Sequence, residues 1–384
     1  KKKYPKKVFY KKNATNLHIS QSSNVCLQMA QGDYITFLDH DDRLYPHSLF
    51  EMVRWICRYN RPKILYSDER LIDEKGYWIG EPYLKPSYSE QLLLEYNYIT
   101  HMVFYKKELV DELNGFRKGY DGAQDHDLLL RASEKAKESI VHVPMCLYQW
   151  RAHRNSVAKS LSAKSYAVKA GLRAVKDALK RRGRSAQVSY IETPRCGYRI
   201  SYELTGSALV SIIIPNKDAY VVLKSCVESI YSKSSYKNFE IIVVDNGSRD
   251  KRCFDFYNSL TSRYKNFSWV SFKGSFNFAH LNCLGVERAK GEHLVFLNND
   301  TKVITTDWLQ ELLSLSQFRE VGAVGCMLLY PNNMLQHAGV FLRPDTIAAH
   351  CGYRVSFKKA AYYKDAILWR VHELSAVTAA CLMR

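Results

Sequence analysis

At 384 residues, 46% hydrophobic and 24% charged, the chain has ordinary globular composition and enough length for about two domains of the usual ~100–200 residues. Its 56 Lys and Arg against 38 Asp and Glu give a formal charge of +18, which favours a polyanionic partner: nucleic acid, an anionic membrane surface or a phosphate-bearing substrate. The composition argues against disorder, the ten scattered cysteines suggest neither a zinc site nor a disulfide framework, and no apolar run approaches the ~20 residues that span a bilayer.

In chain order, the first informative unit is a helical stretch closed by Gly32, an apolar strand Tyr34-Ile35-Thr36-Phe37-Leu38, and the acidic loop Asp39-His40-Asp41-Asp42. Carboxylates at a strand end suit a hard divalent cation that keeps positions open for phosphate oxygens, although a lone Asp-x-Asp is more often a plain acidic turn. Next comes Gly122 to Arg131, where Asp127 reads as an acidic first-turn residue and Asp125 as either an N-cap or a general base. In Leu147 to His153, the Trp150-Arg151 pair followed by His153 offers aromatic, cationic and imidazole groups to a diphosphate, or else a half-buried Trp with surface Arg and His.

Val168, Leu172, Val175 and Leu179 then form one stripe of a helix whose other side carries Lys169, Arg173, Lys176, Lys180, Arg181 and Arg182. A helix packed on the first domain with a solvated basic face is the expected reading, and a membrane-surface helix the sharper alternative. The segment from Gly183 to Gly206 reads as an irregular linker. Beyond it, Leu209 to Pro215 and Phe239 to Asp245 are β-branched runs flanking a helical pattern of Leu223, Val227 and Ile230, as in a parallel sheet covered on both faces.

The chain repeats itself. Gly32 to Leu38 falls on Gly291 to Leu297, which superposes Asp39 on Asn298 and Asp41 on Asp300. A helix, strand and polar loop recur in an α/β pattern, and strand ends in such sheets are where ligands bind. The first copy has only Lys1 to Ser20 ahead of this unit, while the apolar run Ser375 to Met383 reads as a buried strand or core segment. Both ends are therefore expected to be cut.

With these residues in hand, the chain resembles family-2 glycosyltransferases of the tandem type found in bacterial O-antigen, rhamnan and capsule assembly. The resemblance is carried by Gly32 to His47, Tyr66-Ser67-Asp68-Glu69, Tyr96 to His101, Gly122 to Arg131, Leu147 to Ala158, Ser211 to Asp250, Ser275 to Asn282, Leu297 to Val303 and Val321 to Val340. It implies an α/β fold of two tandem GT-A domains, Rossmann-like with mostly parallel sheets, the first truncated at its N-terminus and the second at its C-terminus. The expected boundaries are 1–160, a basic helix and linker at 161–207, and 208–384.

The resemblance further implies a nucleotide-sugar donor (UDP- or dTDP-linked), a glycan or lipid-linked acceptor, Mg2+ or Mn2+, and inversion at the anomeric carbon. By similarity Asp41 would bind the metal, Asp39 would contact ribose or the metal shell, Asp125 would be the base, and Arg151 or His153 would meet the diphosphate. In the second copy Pro215, Asp218, Asp245, Asn246 and Asn282 would form the donor pocket, with Asn298 beside it and Asp300 as metal ligand. Asn298 replaces the first acid of the motif, and no counterpart of Asp125 or His153 follows it. A cytoplasmic site is expected, either free or peripheral at the inner face of the membrane. No nucleic-acid partner is expected, since RNP-type motifs and zinc spacings are absent.

Overall fold

The computed structural model describes residues 7–152, 161–192, 197–343, 347–357, 366–378 and 380–383. They belong to two compact units, Lys1–Ile200 with Ala361–Glu373, and Ser201–Ala360 with Leu374–Arg384. The expected α/β class holds, and both principal sheets are mixed in strand direction.

In the first unit α1 (His18–Met29) leads to β1 (Tyr34–Thr36) and the short β2 (Arg43–Leu44), followed by α2 (Ser48–Arg58). β3 (Ile64–Ile72) and β4 (Trp78–Tyr83) form a hairpin, then come α3 (Glu90–Glu95), β5 (Val103–Lys106), α4 (Lys107–Glu112), α5 (Gln124–Ala136), β6 (Ile140–Arg151) and α6 (Leu161–Arg181). The sheet order is β1-β5-β3-β6-β2, with β4 beside β3; only β3 and β6 run parallel. Ile64, Leu65 and Tyr66 are fully buried because β3 lies inside the sheet with layers on both faces. Met52 and Ile56 of α2 pack with Leu65, Val143 and Leu147.

α6 buries Ala170, Ala174, Val175, Ala178 and Leu179, in part against α5, and leaves Lys169, Arg173, Lys176 and Lys180 exposed. That is the packed amphipathic helix its stripe predicts. Among the described residues no helix is long and apolar enough to cross a membrane. The expected irregular linker instead contains a two-stranded sheet, β7 (Ala186–Ile191) with β8 (Gly197–Tyr202). Its signal was the alternation of Val188 and Tyr190 with the exposed Gln187 and Ser189, a period of two obscured by the polar residues before it.

The second unit contains β9 (Val210–Asn216), α7 (Tyr220–Lys233), β10 (Phe239–Asp245), α8 (Lys251–Arg263), β11 (Phe267–Ser271), α9 (Phe278–Val286), β12 (His293–Phe296) and α10 (Trp308–Ser316). After them come β13 (Ala323–Gly325), two small hairpins, β14 (Leu328–Leu329) with β15 (Leu335–His337) and β16 (Val340–Arg343) with β17 (Ile347–His350), and β18 (Cys381–Met383). The sheet order is β11-β10-β9-β12-β18-β13; the first four strands are parallel and β18 runs antiparallel to both neighbours. Ile212 and Ile214 pack in the cluster that holds Leu223 and Val227 of α7, while Ile213 and Val244 pack with Leu281 of α9. Alternate residues thus meet opposite layers, which is why these strands read as unbroken apolar runs.

The repeat seen in the sequence extends further in space. β12-β18-β13 has the order and directions of β1-β5-β3, and Leu294 stands opposite Met383 as Ile35 stands opposite Tyr105. The loops holding Asp39 and Asn298 therefore leave the same strand of the same three-stranded frame.

Candidate active site

In the first unit the acidic loop is fixed by pairing on both sides. Thr36 of β1 lies opposite Phe104 of β5, so continuing the two antiparallel strands brings Asp39, three residues on, towards His101, three residues back. On the far side Arg43 pairs with Gln149, which brings Asp42 to the end of β6. The result is a cluster in which ligand atoms of Asp39, Asp42 and His101 all lie within 4.8 Å of one another, the one such triad among the described residues.

Asp42 and His101 are held from behind. The Tyr148 hydroxyl donates to Asp42 Oδ2 at 2.5 Å and the Arg151 amide to Asp42 Oδ1 at 2.7 Å. The His101 ring stacks on Tyr148 with centroids 4.7 Å apart, places Nδ1 3.3 Å from Glu69 Oε2, and points Nε2 at Asp39 Oδ2 across 3.9 Å. Burial raises the Asp39 carboxyl above its ordinary value; Asp42, Asp41 and Asp125 add to the rise and His101 opposes it. The Asp39 side chain is 58% exposed, so solvent screens much of this effect. For His101, burial alone would depress the imidazole, and the Glu69 carboxylate outweighs it, so the net shift is upward. Oxygen and imidazole donors converging under excess negative charge fit a divalent cation.

Asp41 stands beside this triad, with Oδ1 3.8 Å from the exposed His40 ring. Asp125 lies in the first turn of α5, one residue inside the helix whose N-cap is Ala123, so it does not serve as the cap. Asn97 donates to its Oδ2 at 3.0 Å, and it is near enough for its charge to raise both Asp39 and His101. Asp127 is fully buried between Arg117 and Arg131 and has a structural environment. Arg151 directs Nε to the Asp41 carbonyl (2.6 Å) and Nη1 to the carbonyls of Asp73 and Glu74, bracing the acidic loop against the β3–β4 turn. His153 lies outside the described residues.

In the second unit the predicted donor residues gather at the C-terminal ends of β9 and β10. Pro215 pairs with Val244, and Asp245, fully buried, accepts from the Ser248 amide (2.9 Å), the Ser248 hydroxyl (2.5 Å) and the Tyr257 hydroxyl (2.9 Å). Asp218, at a positive φ of 49°, accepts from the amides of Arg249 and Asp250, which hold its carboxyl below the usual range, while its own amide donates to Ser248 Oγ. Asn246 donates to the Gly274 carbonyl, and Asn282 of α9 to the Phe278 carbonyl. The Oδ1 atoms of both asparagines are buried without a protein partner among the described residues.

The loop after β12 joins this group through Asn299, whose amide donates to Asn216 Oδ1 at 2.7 Å; Asn216 in turn donates to Tyr257. Asn298 and Asp300 are exposed on that loop. In register with Asp39 and Asp42 the second copy has Asn298 and Thr301. Sequence reasoning missed Asp42, His101, Asn97, Asn216 and Asn299. Asn97 and His101 lie inside the quoted stretch Tyr96 to His101, but no local pattern gives them a role.

Comparison with known proteins places these observations. Glycosyl transferase family 2 matches residues 1–113 and 211–360, more than half of the chain. The uncharacterised protein y4gI of Sinorhizobium fredii is 39% identical over 370 residues, covering 96% of this chain and 40% of that protein. The O-antigen biosynthesis protein RfbC of Myxococcus xanthus is 35% identical over 365 residues, covering 95% of this chain and 28% of that protein. The chain thus spans less than half the length of either relative. Among solved structures, a mannosyltransferase from Pyrobaculum calidifontis in complex with GDP-Man and Mn2+ is 22% identical, with a TM-score of 0.30, over 33% of this chain and 37% of that one.

Proposed function

Because this chain belongs to glycosyl transferase family 2, we propose that it takes part in metal-dependent, inverting transfer of a sugar from a nucleotide-sugar to a glycan or lipid-linked glycan in bacterial surface polysaccharide synthesis. The observation that carries this reading is the convergence of Asp39, Asp42 and His101 within reach of the charge of Asp125. The O-antigen relative supports the polysaccharide context.

Asp39, Asp42 and His101, with Asp41 adjacent, would hold Mg2+ or Mn2+. A bound divalent cation supplies the positive charge that stabilises a departing nucleoside diphosphate. The Asp125 carboxylate, oriented by Asn97, takes the proton from the acceptor hydroxyl as its oxygen forms the bond to the anomeric carbon. The bond to the diphosphate oxygen breaks on the opposite face, which inverts the centre. Tyr148 and Arg151 keep Asp42 in place throughout.

For the second unit, Asp245, Asn246, Asn282, Asp218 and Pro215 would receive the nucleotide, with the Asp300 carboxylate near the metal. The domain boundaries at 160 and 207 remain part of the same proposal. Asn298 and Thr301 in place of the first copy's Asp39 and Asp42 favour a second reading for this copy, nucleotide-sugar binding without turnover. The exposed Lys169, Lys176 and Lys180 of α6 support a peripheral contact with anionic lipid.

The test uses the full-length protein with UDP- and dTDP-sugars, with and without Mn2+. Transfer should require the metal, and Asp125→Asn should abolish transfer while donor binding survives. Transfer by Asp125→Asn at the wild-type rate would remove that residue from the mechanism.

A further inference from the structure

We infer that Lys85 and Glu69 are positioning residues for His101, fixing its ring so that Nε2 presents a lone pair to the space shared with Asp39 and Asp42. The inference rests on the cation site proposed above and extends it inward to a buried ion pair.

The Lys85 side chain is completely buried and that of Glu69 is 5% exposed. Burying two charges costs desolvation that their attraction repays only with good geometry and further hydrogen bonds, so such a pair is weak evidence for a purely stabilising role. Here the further bonds converge on one residue. Lys85 Nζ donates to Glu69 Oε2 (3.1 Å), to the Ile99 carbonyl (2.5 Å) and to the carbonyl of His101 itself. Glu69 Oε2 also accepts from the Thr100 hydroxyl (3.2 Å) and stands 3.3 Å from His101 Nδ1. The one ion pair therefore grips His101 at both its backbone and its ring.

A carboxylate at Nδ1 can only accept, so in the neutral ring, the form that binds a cation, Nδ1 carries the proton and Nε2 is left with its lone pair. In that neutral ring Nε2 faces Asp39 Oδ2 at 3.9 Å, two acceptors across a gap that a cation can occupy in place of a proton. Stacking on Tyr148 at an interplanar angle of 8° fixes the remaining rotation. An outer carboxylate of this kind sets the tautomer and direction of a metal-binding histidine. The next-door acid behaves differently. Asp68, equally buried on the same strand, accepts from the Lys85 amide and faces His142 Nε2 at 2.8 Å.

The test is Mn2+ binding to the purified chain by titration calorimetry, together with the ring 15N shifts of His101. Wild type should bind Mn2+ and, before metal is added and at a pH where the ring is neutral, show the Nδ1-protonated tautomer. Glu69→Gln should weaken Mn2+ binding by about 10–100-fold, whereas Asp68→Asn should leave it within about twofold of wild type, as expected of a residue outside the outer shell of the site. Should Glu69→Gln fail to fold with Lys85 unpaired, the double variant Lys85→Met/Glu69→Met removes both charges at similar volume and carries the same expectation. Wild-type Mn2+ affinity in either folded variant, or a neutral wild-type ring protonated at Nε2 rather than Nδ1, overturns the inference and leaves the cation site standing. Absence of Mn2+ binding by wild type overturns the site beneath it.

Discussion

Asp125 and Asp127 lie two residues apart in the first turn of α5, and replacing each with Asn should cause opposite failures. Asp127 is fully buried, accepts from Arg117 Nε at 3.1 Å and from Arg131 Nε at 3.0 Å, and Arg131 also donates to the carbonyls of Leu113 and Gly115. Neutralising it leaves a guanidinium that is 8% exposed without its counter-charge. Breaking a buried pair from one side costs about 3–5 kcal/mol. Arg117 is 34% exposed and can turn to water, which places the expected loss near the lower end, about 3 kcal/mol. Against a typical domain stability of about 5–15 kcal/mol, that is a large fraction. With a urea slope of about 1–3 kcal/mol/M, the midpoint should fall by about 1 M or more.

Asp125 accepts a hydrogen bond from Asn97, so Asp125→Asn should cost only about 1 kcal/mol while transfer is lost. The assay is urea unfolding followed by tryptophan fluorescence, paired with donor binding and transfer for both variants. A stable Asp127→Asn, or an Asp125→Asn that unfolds as readily as Asp127→Asn, would refute the division into structural and catalytic acids.

Three further outcomes are expected. Burial pushes the Glu95 carboxyl up to about 7, so the folded state holds a proton the unfolded chain has released; the stability this contributes is complete below the ordinary carboxylate range and fades as pH rises to about 7. Glu95→Gln should flatten that decline in thermal midpoint between roughly pH 4.5 and 7, and an unchanged slope would show that another group causes it. Asp245→Asn exchanges an acceptor for a donor facing the Ser248 and Tyr257 hydroxyls, at a cost of about 1.5–3 kcal/mol, and should weaken UDP binding about tenfold in calorimetry. Asp39→Asn should lower Mn2+ affinity far more than Asp300→Asn; equal effects would mean that the two loops hold the ion alike.

The sequence determined the α/β class, the runs that became β9 and β10, the packed face of α6 and the acidic loop at Asp39, because each is a local pattern of period or composition. It could not show that the two copies share a three-stranded frame, since β5 and β18 are short and similar only in being apolar. Nor could it separate Asp42 from Asp41, because the difference lies in Tyr148 and the Arg151 amide, brought to Asp42 by the pairing of β2 with β6.

Lys85 belongs to no motif, and only the packing of β3 against the segment before His101 buries it beside Glu69. His101 follows the same logic. It is far from Asp39 along the chain and has no motif of its own, yet antiparallel pairing of β1 with β5 brings the end of one strand to the start of the other. Local pattern thus set the elements and one carboxylate loop, while strand register, a property of the folded sheet alone, selected the groups that complete the site.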